Sequence, residues 1–502
     1  MKKRHVVVIG GSVAGLGVSL ALSNRGHRVT VLEADATPLP PDHREAFETW
    51  KRKGSPQTRH SHALLGRLRN LIRDNAPDLL ESLKACGAGE LRFRDRAAQL
   101  FESPEFEEGD DDIVSLACRR ITFEWVLRRH VIDSGLVEFR DGVEVSRLEA
   151  TLPNGDPPRV TGVWLKDGDG ERLLEADLVV DASGRRSRLG DWLPQVGTPG
   201  VREASSPCGI YYTSRFYKLR PGVDHPAIDG GVVGVDLGYL KLGVFAGDSR
   251  VFSITLAASP DDEPMRRILR QPGFDAAVAA VPVTAEWTAE GLCDPVSSVH
   301  GMANLQNVRR WLVEDGRPLA LGFVAVGDAL IHTNPIVGRG CSLAWIGAFD
   351  LAHCVDAHDD PTDLALAYDA RIVENVVPWY ELQLTQDADS IDVSRAQLRG
   401  EDPYRLLHDD GSNDPKGFFR GLIREGLIPA LEEDLVLLRK FLRTMNLLDP
   451  PGDLMQDPVV MQRVIESYNR RGEREKKHLG PSRGQMLERF EEAERTAAAT
   501  RA

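Results

Sequence analysis

Positive charge is the first thing this 502-residue sequence is short of: 62 lysines and arginines face 76 aspartates and glutamates, a net charge of −14. With no basic excess there is nothing to displace the counterions of a phosphate backbone. Nucleic acid is therefore excluded as a partner class, and the surplus of acid points to a soluble chain. Cysteine is scarce too. The six residues Cys86, Cys118, Cys208, Cys293, Cys341 and Cys354 include no C-x-x-C pair and no Cys/His cluster at metal spacing. They read as reduced, mostly buried small hydrophobes, with no metal site and no disulfide framework. Cys341 alone falls at a predicted helix start, where a thiolate would be stabilised, although packing is the simpler role.

Long apolar runs are also missing. The most apolar stretch, residues 319–349, is interrupted by Asp328, His332 and Arg339, so no transmembrane segment is expected. Met1 to Arg4 is basic, but the apolar run behind it is short and lacks a cleavage pattern. No signal peptide is read there, and a cytoplasmic location is expected. No repeat or low-complexity segment stands out. What is present is a globular composition, 42% hydrophobic, long enough for two or three lobes with substantial cores.

Two strand, glycine-loop and helix patterns organise the chain. The first lies in Leu319 to Ala348. Its apolar run to Val326 suits a parallel strand that delivers Asp328 to the carboxyl edge of a sheet, where open α/β folds bind ligands. After Pro335, Gly338 and Gly340 let the backbone approach a ligand, and a helix follows whose bare N-terminal amides would stabilise negative charge. The second pattern is HVVVIGGSVAGLGVSLALSNRGHRVTVLEAD, His5 to Asp35. Gly10 and Gly15 occupy the first and third glycine positions of a dinucleotide fingerprint, and Ser12 stands where the second glycine would be. Glu33, 23 residues after Gly10, is near the spacing at which a carboxylate accepts from an adenosine ribose. A nucleophile elbow built on Ser12 would need glycine at Ala14, so a hydrolase carries little weight.

Between these patterns, the run RKGSPQTRHSH from Arg52 to His62 packs turn formers against two imidazoles. His60 and His62 have no further ligands at zinc spacing. They read equally well as hydrogen-bond donors beside a cofactor ring or as solvated loop residues. CRRITFEWVLRRHVIDSG, from Cys118, reads as a helix with Arg119 and Arg120 at its N-terminal end. Cations there oppose the helix dipole, so an anion is expected beside them, a pyrophosphate or a carboxylate, with a surface ion pair as the plainer alternative. The acidic residues between 90 and 117 read as a solvated, inert run. Residues 135–180 read as a β-meander returning to the nucleotide lobe at Asp181 and Gly184. Residues 208–258 read as a broad antiparallel sheet with turns at Asp229–Gly231 and Gly247–Asp248, and a further strand is expected from Val296 to Ala303. Beyond Ala348 the chain reads as mostly helix, with the basic cluster Arg470 to Lys477 on a solvated helix face.

With three motifs in order, residues 5–355 resemble the flavoprotein monooxygenases of the para-hydroxybenzoate hydroxylase fold. GGSVAG with Glu33 looks like their FAD-ADP site, DLVVDASGRRS like their middle motif, and GDALIHTNPIVGRG like the GD motif, whose acid meets the flavin ribitol. RKGSPQTRHSH resembles a signature of the branch that includes bacterial polyether-type and squalene-epoxidase-like enzymes. The resemblance implies an α/β fold: a Rossmann-like FAD-binding domain of GR2 type (residues 1–85, 115–200 and 305–360), an antiparallel β-sheet substrate domain (86–114 and 201–304) and a C-terminal helical region (361–502). It implies FAD contacts from Gly10, Ser12, Ala14, Gly15, Glu33, Arg120, Asp181, Gly184, Asp328, Pro335, Gly338, Arg339 and Gly340, the Gly338–Gly340 amides facing the N1 and C2 carbonyl side of the ring. Arg339 would add positive charge beside the reduced ring.

The implied activity is hydroxylation or epoxidation of a mostly apolar small molecule with molecular oxygen, through a flavin C4a-hydroperoxide. His60, His62 and His332 are the candidates for proton handling. No second Gly-rich βαβ unit is evident, so NAD(P)H would bind transiently, or a separate flavin reductase would deliver the electrons. Arg339 replaces a common glutamine and Gly347–Ala348 an Asp-Ala pair, which weighs against an aromatic hydroxylase. None of the eight tryptophans is two residues from another, so the W-x-W-x-I-P motif of flavin-dependent halogenases is absent. A saturase of prenyl-type double bonds, a halogenase and a non-catalytic binding module remain alternatives.

Overall fold

The computed structural model describes residues 2–152, 157–167, 170–226, 232–408, 410–475 and 477–501. In chain order, its principal elements are β1 (His5–Ile9), α1 (Val13–Ser23), β2 (Arg28–Glu33), α2 (Gly66–Asn75), α3 (Arg120–Asp133), β3 (Val137–Asp141), β4 (Leu178–Asp181), β5 (Tyr211–Leu219), β6 (Lys241–Ala246), β7 (Val251–Ala258), β8 (Gln306–Trp311), β9 (Phe323–Ala325), α4 (Gly340–Ala357) and α5 (Val377–Leu398).

Five strands form a parallel sheet in the order β9-β4-β1-β2-β3. Val6, Val7, Val8, Val31, Val179 and Val180 are fully or almost fully buried, as strands covered on both faces require. Ile9 lies opposite both Leu32 and Asp181, and Asp181 opposite Ala325. The four strands therefore finish level, and the loops after them leave from one carboxyl edge. α1 is buried at every residue except Ala14, and it is tied to α4 by the Trp345 indole, which donates to the Val13 carbonyl at 3.1 Å.

Some local expectations change. Val137–Asp141, expected to open the meander, pairs with β2 in parallel and forms the sheet's outer strand, because α3 supplies the crossover that parallel pairing needs. The meander itself is the antiparallel trio Glu144–Thr151, Arg159–Asp167 and Gly170–Glu175. The strand expected over the apolar run from Leu319 to Val326 is β9, and it is shorter than that run. Of Val296–Ala303 only His300–Met302 is strand, paired to β5. The turn expected at Asp229–Gly231 lies outside the described residues.

The second sheet is antiparallel, with β6, β7 and β5 adjacent at its centre. One face, with Phe252, Ile254 and Leu256, packs on Phe274 and Phe490. The period-two alternation puts Ser214, Phe216, Ser253 and Thr255 on the other face, toward the nucleotide lobe. The two sheets are locked by Arg119, whose guanidinium forks onto Asp248 in the turn between β6 and β7 (2.6 to 3.2 Å), with Thr122 donating to the same carboxylate at 2.9 Å.

Acids expected to be inert are structural. Asp110 is buried and accepts from Arg439 at 2.8 Å. Phe93, Ala97 and Ile113 share a core with Leu422, Leu437 and Val460, so part of the segment 86–114 packs on the C-terminal helices. The described residues of the cluster Arg470 to Lys477 include a helix end at Arg470 and the 3-10 turn Arg471–Glu473, not a helix face, and Arg474 forks onto Glu433 at 2.9 Å. Removing one partner of a buried pair strands the other charge. Asp248→Ala should lower the unfolding free energy by about 3–5 kcal/mol, read from urea melts of the two proteins.

Candidate active site

The carboxyl edge of the parallel sheet is met by the N-termini of α1 and α4. Gly10 has φ +103°, and a Cβ there would stand 2.6 Å from the Ala182 carbonyl oxygen; a Cβ on Gly15 would stand 1.8 Å from the Gly10 oxygen. Neither position admits a side chain. Gly327 is the wedge between the helices: its Cβ would lie 3.0 Å from the Ala14 methyl and 3.2 Å from that of Ala344. Neither helix has a side-chain cap at its N-terminus. Two sets of bare amides therefore converge beside Asp328, which is half-buried. Such amides and the helix dipoles favour an anionic ligand.

Around the α1 N-terminus lies a buried cluster of charge. Glu33 accepts from the Gly11 amide at 3.1 Å, Arg52 at 2.9 Å and Arg128 at 3.2 Å. Arg52 also donates to Asp35 at 3.0 Å and Glu124 at 2.8 Å. Glu124, fully buried, accepts from Arg120 at 2.7 Å and the Ser12 hydroxyl at 2.9 Å. Burial alone would raise the Glu124 carboxyl, but Arg120, Arg52 and Arg128 outweigh it and hold it at about 2. The anions expected beside Arg119 and Arg120 are thus buried carboxylates, Asp248 and Glu124. Ser12 also bonds Ser55 at 3.1 Å and Arg120 at 3.2 Å, an environment for holding charge, not for activating a nucleophile.

The other expected residues are placed as follows. Asp181 is fully buried, and Ser183 and Ser187 take up its carboxylate inside the turn that carries Gly184. Its carboxylate shapes that turn. Asn334 caps the turn Pro335–Val337, which Gly338 closes at φ +70°; a Cβ on Gly338 would lie 3.1 Å from the Ala63 carbonyl oxygen. Open space lies where a Cβ on Gly340, or on Gly184, would project. The Arg339 side chain turns away from that space to α5, donating to Gln383 at 3.0 Å and stacking over Trp379 at 5.2 Å. Cys341 sits in the first turn of α4, yet burial raises its pKa, so desolvation exceeds the pull of the helix end.

The histidine loop runs between the two sheets. His60 is buried, bonds Ser214 through Nδ1 at 3.1 Å and meets the Tyr212 ring edge-on at 4.8 Å. From Ser214 a line of hydroxyls continues through Thr255, Ser61 and Ser253, each contact 2.7 Å. A narrow cleft lies beside them, lined in part by His60, His62, Arg119, Phe216, Phe245 and Ser253. Burial, with His62, His300 and Arg185 nearby, lowers His60 to about 3. Burial and Arg120 lower His62 to about 4. Both imidazoles are neutral near pH 7. His332 lies on the other side, beside Asp328; burial lowers its pKa and Asp328 opposes the shift.

Arg120 is marked in the sequence by its place at a helix start, whereas Glu124, Arg128 and Arg52 are not. Arg120, Glu124 and Arg128 are spaced by four on α3, a pattern that marks one helix face, but nothing in it shows that the face is buried. Arg52 was visible only as part of a turn-rich run. A polyanionic cofactor suits this edge by its chemistry: Arg120 Nε, Arg128 Nε, Ser342 Oγ and His332 Nδ1 are buried without a hydrogen-bond partner among the described residues.

The chain has the fold of the flavin-dependent monooxygenases and halogenases. Residues 5–53 match the family model described as pyridine nucleotide-disulphide oxidoreductase. Protein Rv3254 of Mycobacterium tuberculosis is 27% identical over 487 residues, 93% of this chain and 94% of that protein. Among solved structures, a triple mutant of the flavin-dependent brominase Bmp2 is similar with a TM-score of 0.57 at 17% identity, over 93% of this chain and 100% of that one. PqsL, a probable FAD-dependent monooxygenase from Pseudomonas aeruginosa, gives 0.55 at 16% identity, over 79% of this chain and 99% of that one.

The lowered pKa of His60 makes stability depend on pH. Below about 6.5 the unfolded imidazole takes a proton that the folded one refuses down to about 3, so its contribution is complete above pH 6.5 and drains away as pH falls to 3. His60→Gln should flatten the fall in stability between pH 6 and 4 by about 1.4 kcal/mol per pH unit, measured by urea unfolding across that range.

Proposed function

We propose that the protein is an FAD-dependent monooxygenase that hydroxylates or epoxidises a mostly apolar small molecule. The observation that carries this reading is the meeting of two uncapped helix N-termini at Gly327–Asp328, beside three buried arginines. Gly10 and Gly15 would let the backbone reach the pyrophosphate, with Arg120 and Arg128 offering unpaired N–H groups to it. Glu33 would serve the adenosine ribose, Asp328 the ribitol, and the Gly338–Gly340 backbone the ring. When bound, FAD supplies electron transfer and the activation of oxygen.

The chain's own part is placement and dryness. Phe216 and Phe245, on the Ser253 face of the sheet, give the cleft apolar walls, which restrict water around a reactive centre. Neutral His60 and His62 can each donate from one ring nitrogen and accept at the other, so a proton can be held or passed along the Ser214, Thr255, Ser61 and Ser253 hydroxyls without a charge being created in the cleft. Electrons would come from NAD(P)H, directly or through a separate reductase.

Halogenation is the second reading. The brominase match spans 93% of this chain against 79% for PqsL, so the C-terminal helices have a counterpart there. Against it stands the missing W-x-W pair. The deciding experiment is turnover of a panel of alkenes, phenols and pyrroles under ¹⁸O₂ with bromide present, followed by mass spectrometry. One ¹⁸O in the product supports the monooxygenase; a brominated product would replace it with the halogenase, and reduction of a double bond without oxygen uptake with the saturase. Arg120→Ala should weaken FAD binding by about 2 kcal/mol, on the order of 30-fold, in a flavin fluorescence titration of the apoprotein.

A further inference from the structure

The C-terminal helices reach the ring-facing loop through one buried acid. Asp387 on α5 is 5% exposed. Its carboxylate accepts from three neutral amides: Asn307 Nδ2 on β8 at 2.7 Å, Asn334 Nδ2 at 2.8 Å, and Gln383 Nε2, one turn earlier on α5, at 2.8 Å. Asn334 is held again at its backbone, whose N–H donates to Asn307 Oδ1 at 2.7 Å, and its own Oδ1 caps Ile336 at 3.1 Å. At the other end of the loop, Arg339 donates to Gln383 Oε1 at 3.0 Å. Asn334 and Arg339 bracket Pro335, Ile336, Val337 and Gly338. Both ends of this segment therefore hang from Asp387, one directly and the other through Gln383.

Burying a carboxylate is costly, and an apolar contact of the same volume would fasten a helix as well. What the acid adds is direction: three amide donors converge on one group and fix both bracketing side chains. We propose that Asp387 is a positioning residue for the cofactor-facing loop 334–340, acting through Asn334 and through Gln383 and Arg339 to aim the Gly338–Gly340 backbone. The C-terminal region then belongs to the flavin site and is not only a cover for it. This rests on the reading of that loop as the ring contact.

Two variants separate positioning from packing. Asp387→Asn keeps the volume but sets an amide N–H against amide donors. Gln383→Met removes the Gln383 bonds to Asp387 and to Arg339 but leaves Asp387 in place and bonded to Asn307 and Asn334, so it guards against a folding defect in the first. Hydrogen exchange of the apoproteins should show the amides of 334–340 exchanging at least about tenfold faster in both variants, with β1 and α1 unchanged. Titration with FAD should show the dissociation constant raised by about tenfold, and the visible spectrum of the bound flavin altered, against wild type.

Unchanged exchange at 334–340 in Asp387→Asn and Gln383→Met would overturn the proposal. So would faster exchange with FAD bound as tightly as by wild type and with the same spectrum, since the loop would then be tethered but not aimed at the cofactor. Wild-type protein that fails to take up FAD would bring down the flavin reading itself and the proposal with it, an outcome visible before any variant is made.

Discussion

Three arginines and three carboxylates placed out of water tolerate almost no slack. Arg52, Arg120 and Arg128 against Glu33, Asp35 and Glu124 are each worth having only if every charge finds a partner at hydrogen-bond distance, because a single unpaired ion in such a place costs several kcal/mol. The partners come from three separate parts of the chain: the end of β2, the loop before the histidines, and one face of α3. Pairing them fixes where α3 lies against the glycine loop and where the histidine run must begin. The Nε–H groups of Arg120 and Arg128 have no partner among the described residues, so the pyrophosphate of the proposed cofactor would find donors there without dismantling the cluster.

The second anchor is geometric. Because β1, β4 and β9 finish level, the first turns of α1 and α4 arrive at the same height and touch over Gly327, where any Cβ would press on both. The dipoles of the two helices therefore add at one place and are not spread along the edge. The histidine loop fills the gap between this edge and the antiparallel sheet, with Ala63 against Gly338 on one side and His60 and Ser61 on the sheet hydroxyls on the other. Arg119 and Asp248 hold the sheet at the distance this requires.

The C-terminal region is bonded directly to two segments of the rest of the chain. Its helices carry Asp387, Gln383 and Trp379 to the loop before α4, and Arg439 to the acidic segment at Asp110. A region with no recognisable motif thus determines how a motif-bearing loop is held. Arg339 illustrates the point: its place between two glycines suggests a charge offered to a ligand, and its side chain instead faces a tryptophan and two glutamines.

Local chemistry was enough to read the two strand, glycine-loop and helix units, the parallel sheet they belong to, the antiparallel sheet, and Gly10, Gly15, Glu33, Asp328 and Gly338 as the residues at the sheet edge. Those features rest on backbone sterics and on periodicities of two and 3.6, which neighbouring residues carry among themselves. Partnership between distant residues is not carried that way. That Arg128 meets Glu33, that Asp110 is buried, that Asp181 closes its own turn, that Val137–Asp141 joins the parallel sheet and that Asp387 holds Asn334 were decided by tertiary structure, because burial and pairing depend on which surfaces the whole chain brings together.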